Sequence, residues 1–357
     1  MNNLLYKIKR SNQNVNNKLL VSFVVCNPKG EQPNIIVGFM NGIIKLFNFT
    51  ANGKLKLNKL LEEHINFINY ISFNPINPNI FSSCSKDKSL ILWNFMNDDI
   101  QFEKLTFDSE INSVIFSNDG QLLCCFYNNE LLQNGTIILY NVNIIDNNNP
   151  NNKRISISNT STYTENNIEF FSICFHPNNK LLFIGTSTLL IILNISDIYR
   201  ITEQRKFQSN YILSTSCNIL GDLCIFTDSN NYMNIIDTRN KEIKLYQNKE
   251  LQQYFLHESV VTNILFHPIN PYLFIVYDDN NIIILDINSP KIKCIYQYKH
   301  QTKITSCSFN FLGNAIIFSS ENKLVILELK LNIVNNNRLN TKTNMIRMLG
   351  NISVSTT

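Results

Sequence analysis

Glycine is scarce in this sequence: ten residues in 357, all at positions that read as turns. None sits in a phosphate-cradling glycine loop. The motifs H-E-x-x-H and G-x-S-x-G and the calcium-binding EF-hand loop are also missing, so no metal, cofactor or activated nucleophile is announced and no enzyme is expected. No apolar run approaches membrane-spanning length, and the opening MNNLLYKIKR lacks an apolar signal core, so no membrane association is expected. Charge is sparse too, at 16% of residues with a net of +4. Lys7, Lys9 and Arg10 make only a thin basic cluster, so nucleic acid is a possible partner but not an indicated one.

The nine cysteines contain no C-x-x-C pair. Most lie within apolar strand patterns (Cys84, Cys125, Cys174, Cys217, Cys224, Cys307), where a thiol serves as a small buried hydrophobe in a reducing compartment. With no signal segment, the Asn-x-Ser/Thr sequons at Asn48, Asn134 and Asn194 carry little weight. An intracellular protein, of nucleus or cytoplasm, is expected.

What the chain has in abundance is apolar and aromatic mass: 44% hydrophobic, with 24 Phe and 14 Tyr. Asparagine takes over the polar surface. The runs Asp146 to Asn152 and Asn335 to Arg338 read as solvated loop, and the excess length between Asp146 and Asn167 is assigned to such a loop.

The apolar segments repeat. The clearest copy is HINFINYISFNPINPNIFSSCSKDKSLILWNF, from His64 to Phe95. INYISF is a strand, and the prolines of NPINPN remove ladder donors and make a turn. IFSSCS is a second strand, KDK a tight turn and SLILWNF a third strand. This meander resembles the WD repeat. The resemblance implies that His64, a strand hydroxyl from Ser83 or Ser85, Asp87 and Trp93 form a buried, structural hydrogen-bonded tetrad, with Asn94 closing the repeat.

Six more segments fit the template with eroded signatures. They close on Phe47-Asn48, Tyr140-Asn141, Leu193-Asn194, Ile236-Asp237, Leu285-Asp286 and Leu327-Glu328. With Trp93, the closing positions are 47, 93, 140, 193, 236, 285 and 327, against about 40–45 residues for a minimal blade. His257 and His300 occupy the loop-histidine position, Asp279 matches Asp87, and His176 and His267 sit in F-H-P turns as repeat residues without a ligand role.

The expected fold is therefore all-β: one seven-bladed WD-repeat β-propeller over residues 1–335, with repeats ending near 49, 95, 142, 196, 239, 288 and 329. Closure by an N-terminal strand, Leu4 to Arg10 beside Lys323–Leu329, is expected, and residues 336–357 are read as a flexible tail.

The resemblance implies a non-catalytic scaffold or adaptor that binds other proteins, as subunits or peptides, without a cofactor or metal. Its top face would offer Asn66, Phe67, Lys86, Lys88, Asp228, Tyr277, Asp278, Lys303 and Glu321, with Phe67 and Tyr277 as aromatic anchors. Three alternatives carry partial resemblances. GFMNGIIKLFNF with blade two is similar to a polycomb histone-peptide reader, without an assignable aromatic cage. SICFHPNNKLLFIGTSTLLIILNIS is similar to an mRNA cleavage-stimulation subunit. Ile236-Asp237-Thr238-Arg239 resembles the W-D-x-R element of ubiquitin-ligase substrate receptors, without its Trp.

Overall fold

The computed structural model describes residues 20–30, 34–50, 55–95, 100–146, 153–196, 200–230, 233–237, 244–247, 259–287, 292–330 and 345–353. Among them the chain forms seven four-stranded antiparallel sheets, each from four consecutive strands. Blade 1 holds β1 (Val21–Cys26), β2 (Ile35–Phe39), β3 (Ile44–Phe49) and β4 (Leu55–Leu61). Blade 2 holds β5 (Ile68–Phe73), β6 (Ile80–Ser85), β7 (Ser89–Asn94) and β8 (Gln101–Thr106). Blade 3 holds β9 (Ile111–Phe116), β10 (Leu122–Asn129), β11 (Asn134–Asp146) and β12 (Lys153–Asn166). Blade 4 holds β13 (Phe170–Phe175), β14 (Leu181–Thr186), β15 (Leu189–Ile195) and β16 (Ile201–Gln208). Blade 5 holds β17 (Ser214–Cys217), β18 (Leu223–Thr227), β19 (Met233–Asp237) and β20 (Lys244–Gln247). Blade 6 holds β21 (Val261–Phe266), β22 (Tyr272–Tyr277), β23 (Asn281–Asp286) and β24 (Lys293–Lys299). Blade 7 holds β25 (Ile304–Phe309), β26 (Ala315–Ser320), β27 (Lys323–Lys330) and β28 (Met345–Ser353).

Burial explains why these residues form these strands. The second and third strands of a blade are covered on both faces, so they read as unbroken aliphatic runs such as Ile282-Ile283-Ile284-Leu285, all buried. Fourth strands face solvent and alternate, as β8 does. The first strands touch one another in sequence order around a ring, and β25 returns to β1.

Seven apolar clusters lie between blades, one at each junction. The last joins Val21, Val24, Val37 and Phe39 of blade 1 to Ile317, Leu324 and Ile326 of blade 7. Hydroxyls reinforce that seam: Ser306 Oγ accepts from Val24 N at 3.3 Å and Ser308 Oγ accepts from Cys26 N at 3.1 Å. The fold is the expected seven-bladed propeller.

The closure differs from expectation. The position beside Lys323–Lys330 is filled by the chain's own C-terminal strand, with Lys323 opposite Ser353 and Lys330 opposite Met345. The segment MIRMLGNIS therefore satisfies the open edge of β27, and residues 336–357 are not simply a tail. Leu4 to Arg10 lies outside the described residues. Among the described residues each blade is completed by four consecutive strands, and blades 1 and 7 meet by face-to-face packing.

Two further expectations are corrected. Most of Asp146 to Asn167 is not loop: β11 and β12 form a ribbon of 13 and 14 residues that runs beyond the blade. Ile155, Ile157 and Tyr163 pack onto neighbouring cores, which is why this Asn- and Thr-rich strand holds. Cys217 and Cys224 are joined as a disulfide across β17 and β18, with a Cα separation of 4.2 Å, rather than standing as separate thiols. The other seven cysteines are free.

Truncating the chain after residue 340 removes β28 and exposes the donors and acceptors of β27. We expect a Tm lower by several degrees and concentration-dependent aggregation. Calorimetry of the truncated chain decides this: an unchanged Tm would show that β28 contributes nothing.

Candidate functional site

In antiparallel four-stranded blades, the loops entering first strands and the turns between second and third strands share one end of the ring, here called the upper face. The turns between first and second strands define the lower face.

Blade 2 contains the most developed polar constellation. Trp93 Nε1 donates to Ser83 Oγ at 2.8 Å, Ser83 lies 2.8 Å from His64 Nε2, and His64 Nδ1 lies 2.9 Å from Asp87 Oδ2. With Trp93 able only to donate, the bonds run one way, from indole through hydroxyl and imidazole to carboxylate. Asp87 also accepts from Ser89 Oγ at 2.6 Å and from the amides of Ile65 and Ser89 at 3.1 and 2.9 Å. Burial alone would raise the Asp87 carboxyl; the bonds from His64 and Ser89 outweigh it and hold it well below the usual range. Trp93 stacks on Phe81, with centroids 5.7 Å apart. Ser85, the other hydroxyl considered, supports the turn instead, donating to Asn66 O at 2.9 Å and accepting from Asp87 N at 3.0 Å.

An aspartate, a histidine and a serine in line have the connectivity of a hydrolase triad. Ser83 cannot act as a nucleophile here. Its side chain is fully buried, and its oxygen is held by the indole N–H. These residues lock the entry to β5 onto the turn between β6 and β7.

The lower face carries a second recurring device. His267 Nε2 lies 2.9 Å from Gly313 O in the next blade, and its Nδ1 accepts from Ile269 N and Asn270 N at 3.0 and 2.8 Å. His176 does the same with Gly221 O at 2.6 Å and Asn178 N at 3.1 Å. In blade 2 an asparagine takes the role: Asn74 Nδ2 donates to Gly120 O at 2.8 Å, and Oδ1 accepts from Ile76 N and Asn77 N at 3.0 and 2.9 Å. Amide and neutral imidazole present one donor and one acceptor in matching places. The receiving glycines have φ of +70°, +73° and +66°, and a Cβ on any of them would meet the incoming ring or amide at 2.3–2.6 Å. The F-H-P histidines are thus inter-blade clamps. Their role was hidden in the sequence because the partner glycine lies 45 or 46 residues away.

The nine upper-face residues divide. Asn66, Lys86, Lys88, Asp278, Lys303 and Glu321 are exposed and Phe67 is half-buried. Lys86 Nζ sits 5.5 Å over the Phe67 ring and 3.8 Å from Glu110, while Lys88 Nζ donates to Asp108 O at 2.9 Å. Tyr277 and Asp228 are not on the surface. Tyr277 is 1% exposed in the core between blades 5 and 6, where burial pushes its hydroxyl far up, and Asp228 is buried while accepting from Asn230 N at 3.0 Å. Each ends or follows a second strand, where the backbone still turns the side chain inward. His300 is buried, bonded to the Tyr298 hydroxyl at 3.0 Å. Asp279 accepts from Asn281 N at 3.1 Å and pairs with Lys299 at 3.6 Å. His257 lies outside the described residues.

Sequence reasoning missed the exposed apolar side chains of the upper rim: Ile65 at 83%, Leu131 at 95% and Leu132 at 67% exposure. Leucines in a polar hairpin tip were the available signal. Among the described residues no three His, Cys, Asp or Glu side chains converge as metal ligands would.

Comparison with known proteins agrees with this geometry. The family model "WD domain, G-beta repeat" matches residues 55–94, which span β4 and most of blade 2. Among solved structures, the β-propeller domain of Cps50 (Swd1) from Myceliophteria thermophila superposes with a TM-score of 0.63 at 10% identity, covering 86% of this chain and 95% of that one. No curated protein matches the sequence. The chain folds as a seven-bladed β-propeller in which one segment, residues 55–94, matches the WD-repeat family.

The clamps generate an exchange test. His267→Asn and Asn74→His should stay within about 1 kcal/mol of the parent in urea unfolding, whereas His267→Ala or Asn74→Ala should cost about 1–3 kcal/mol by orphaning buried partners. If alanine costs no more than the exchange, the clamps are not stabilising.

A pH dependence follows from the same imidazole. Burial holds His267 below its ordinary 6.5, against a smaller opposing effect of the Gly313 carbonyl; burial, then Lys323, does so at His300. Above about pH 6.5 both are neutral folded and unfolded. As pH falls through that value toward the lower folded one, the unfolded chain takes up protons first and stability drops. Urea midpoints measured from pH 7.5 to 5 should decline below about 6.5, and His267→Asn should flatten part of that decline.

Proposed function

We propose that this chain is a non-catalytic scaffold subunit that binds other proteins through the upper face of blades 2 to 4. One observation carries the reading. The exposed apolar side chains Ile65, Leu131 and Leu132 stand among six exposed acids, Glu62, Glu63, Asp108, Glu110, Glu130 and Glu169, which outnumber the exposed Lys86, Lys88 and Lys104 beside them. The chain as a whole has a net charge of +4, so this rim is acidic against the average.

The loops involved are tied together. Lys86 meets Glu110 between blades 2 and 3, and Asn128 exchanges bonds with the backbone of Phe170 at 2.9 and 2.8 Å between blades 3 and 4. Rigid loops presenting apolar anchors within a charged rim suit protein docking, where a few central apolar groups dominate affinity. The sign of the rim selects partners with cationic segments around apolar residues. It repels phosphate backbones, which disfavours direct nucleic-acid binding on this face. The two residues best placed for chemistry, His64 and Ser83, are consumed by the tetrad, which supports a binding role over a catalytic one. Seven free cysteines beside a single disulfide, Cys217–Cys224, support a location inside the cell, in nucleus or cytoplasm.

Affinity purification of the tagged chain with mass spectrometry, in low and high salt, tests this. Stoichiometric protein partners are expected that are lost from a Leu131→Asp, Leu132→Asp double variant and retained by the lower-face variant Ile219→Asp. Partners released by nuclease, or none at all, would overturn it.

A further inference from the structure

Among the described residues, the outer pair of strands runs furthest past its blade on the lower face in blade 3, by five residues against one or two in blades 1, 4 and 7. In blade 2, β7 ends at Asn94, paired with Ile80 on one side and Gln101 on the other. In blade 3, β10 pairs with β11 only as far as Leu122 opposite Asn141, yet β11 and β12 stay paired to Asp146 opposite Lys153. The ribbon therefore continues past the blade with β12 on its outer side and no described strand on its inner side.

Strand geometry fixes which groups are left open. Val142 N donates to Gln121 O at 2.8 Å on the inner side. Because a residue's N–H and C=O point the same way and successive residues alternate, Ile144 presents both its groups to that side, while Asn143 turns to β12. Beside this edge lies a groove of about 420 Å³ lined by Asn74, Ile76, Asn77, Asp119 and Gly120, with Asn141 to Ile144 forming its wall. Ile76 and Ile144 are 55% and 41% exposed across it. Natural edge strands are usually protected by proline, lysine, a bulge or a cover. Val142-Asn143-Ile144 carries no proline or lysine, has no cover among the described residues, and is rich in β-branched residues.

We propose that the inner edge of β11, at Val142–Ile144, is a strand-addition site that takes an extended segment of a partner protein. The incoming segment bonds through its backbone to Ile144 N–H and C=O. Every second side chain of it faces the Ile76–Ile144 groove, so its sequence alternates apolar and polar, with no proline opposite Ile144. Main-chain bonds supply affinity and the groove supplies selectivity, as in other strand-addition complexes. The site is separate from the upper rim, on the opposite end of the ring.

The test uses a displayed library of random twelve-residue peptides, panned on the full chain and counter-panned on Ile144→Pro. Proline removes the free donor of Ile144 without touching the β12 ladder, which bonds through Asn143, and proline is tolerated on sheet edges. Enrichment of proline-poor sequences with period-two apolar residues is expected, with at least tenfold weaker binding to Ile144→Pro. A selected peptide N-methylated at alternate residues in one register should lose binding at least tenfold and in the other register keep it. That readout stands even if the variant is poorly folded. Absent enrichment, binding that survives both methylation registers, or helical periodicity in the selected peptides would overturn the proposal. Two other occupants are covered by the chain alone: a dimer dispersed by Ile144→Pro in sedimentation would mean that a second copy fills the edge, and peptide binding gained only on deleting residues 1–19 would mean that the chain's own segment fills it; either would overturn the proposal.

Discussion

A four-stranded blade with two apolar faces cannot stand alone in water, and that constraint shapes everything else in this molecule. Each face must be covered by a neighbour, so every blade shares a core with the blade on either side of it. The critical junction is between blades 7 and 1, the only one that the chain does not bring together by local connection. Here it is made by side-chain packing of Val21, Val24 and Phe39 on Ile317, Leu324 and Ile326, with Ser306 and Ser308 bonding the strand backbone opposite. Among the described residues β28 completes blade 7 from within its own repeat, so the fourth strand there adds no link to blade 1.

Polar stitching divides between the two ends of the ring. The tetrad of blade 2 fixes one upper loop to one turn within a blade, whereas the lower clamps at Asn74, His176 and His267 tie one blade to the next. A lost tetrad can be offset inside a blade by burial, since an aliphatic residue in the Trp position contributes about 1.5–3 kcal/mol when covered. A lost clamp would leave a buried carbonyl and two amides without partners. This difference accounts for a chain with one Trp and several intact clamps.

The sequence is legible where burial is two-sided. All seven closing positions, from Phe47 to Leu327, fall on third strands, because an unbroken aliphatic run ending in a polar residue has few other uses in a repeat. Fourth strands were harder to read. β12 (KRISISNTSTYTEN) buries only isolated residues, so its Asn and Thr content resembled loop, although the β-branched alternation of Thr160, Thr162 and Thr164 was present. MIRMLGNIS alternates weakly around Gly350, and nothing local distinguishes the end strand that closes blade 7 from one supplied by the other terminus. Sites were less legible than strands. Tyr277 and Asp228 stand one step from the surface in sequence and inside it in space, and that step depends on where the second strand stops bending inward.

Surfaces free of ring-closing duties are where function can vary. Lower turns at Asn74, His176 and His267 are committed to holding blades together, so substitutions there act on stability. The hairpin tip at Glu130–Gln133 lies outside the inter-blade cores, and the ribbon beyond Asn141 contributes Val142, Ile155 and Ile157 to one of them while its end runs free of it. Both belong to blade 3, and both exist because β10, β11 and β12 outgrow the blade at its two ends. Extra strand length costs backbone entropy of about 1–2 kcal/mol per residue, recovered only in part by ladder bonds that face water. Length that the fold does not require, ending in exposed Leu131 and Leu132 above and an open Ile144 edge below, is stabilised most readily by something that binds there.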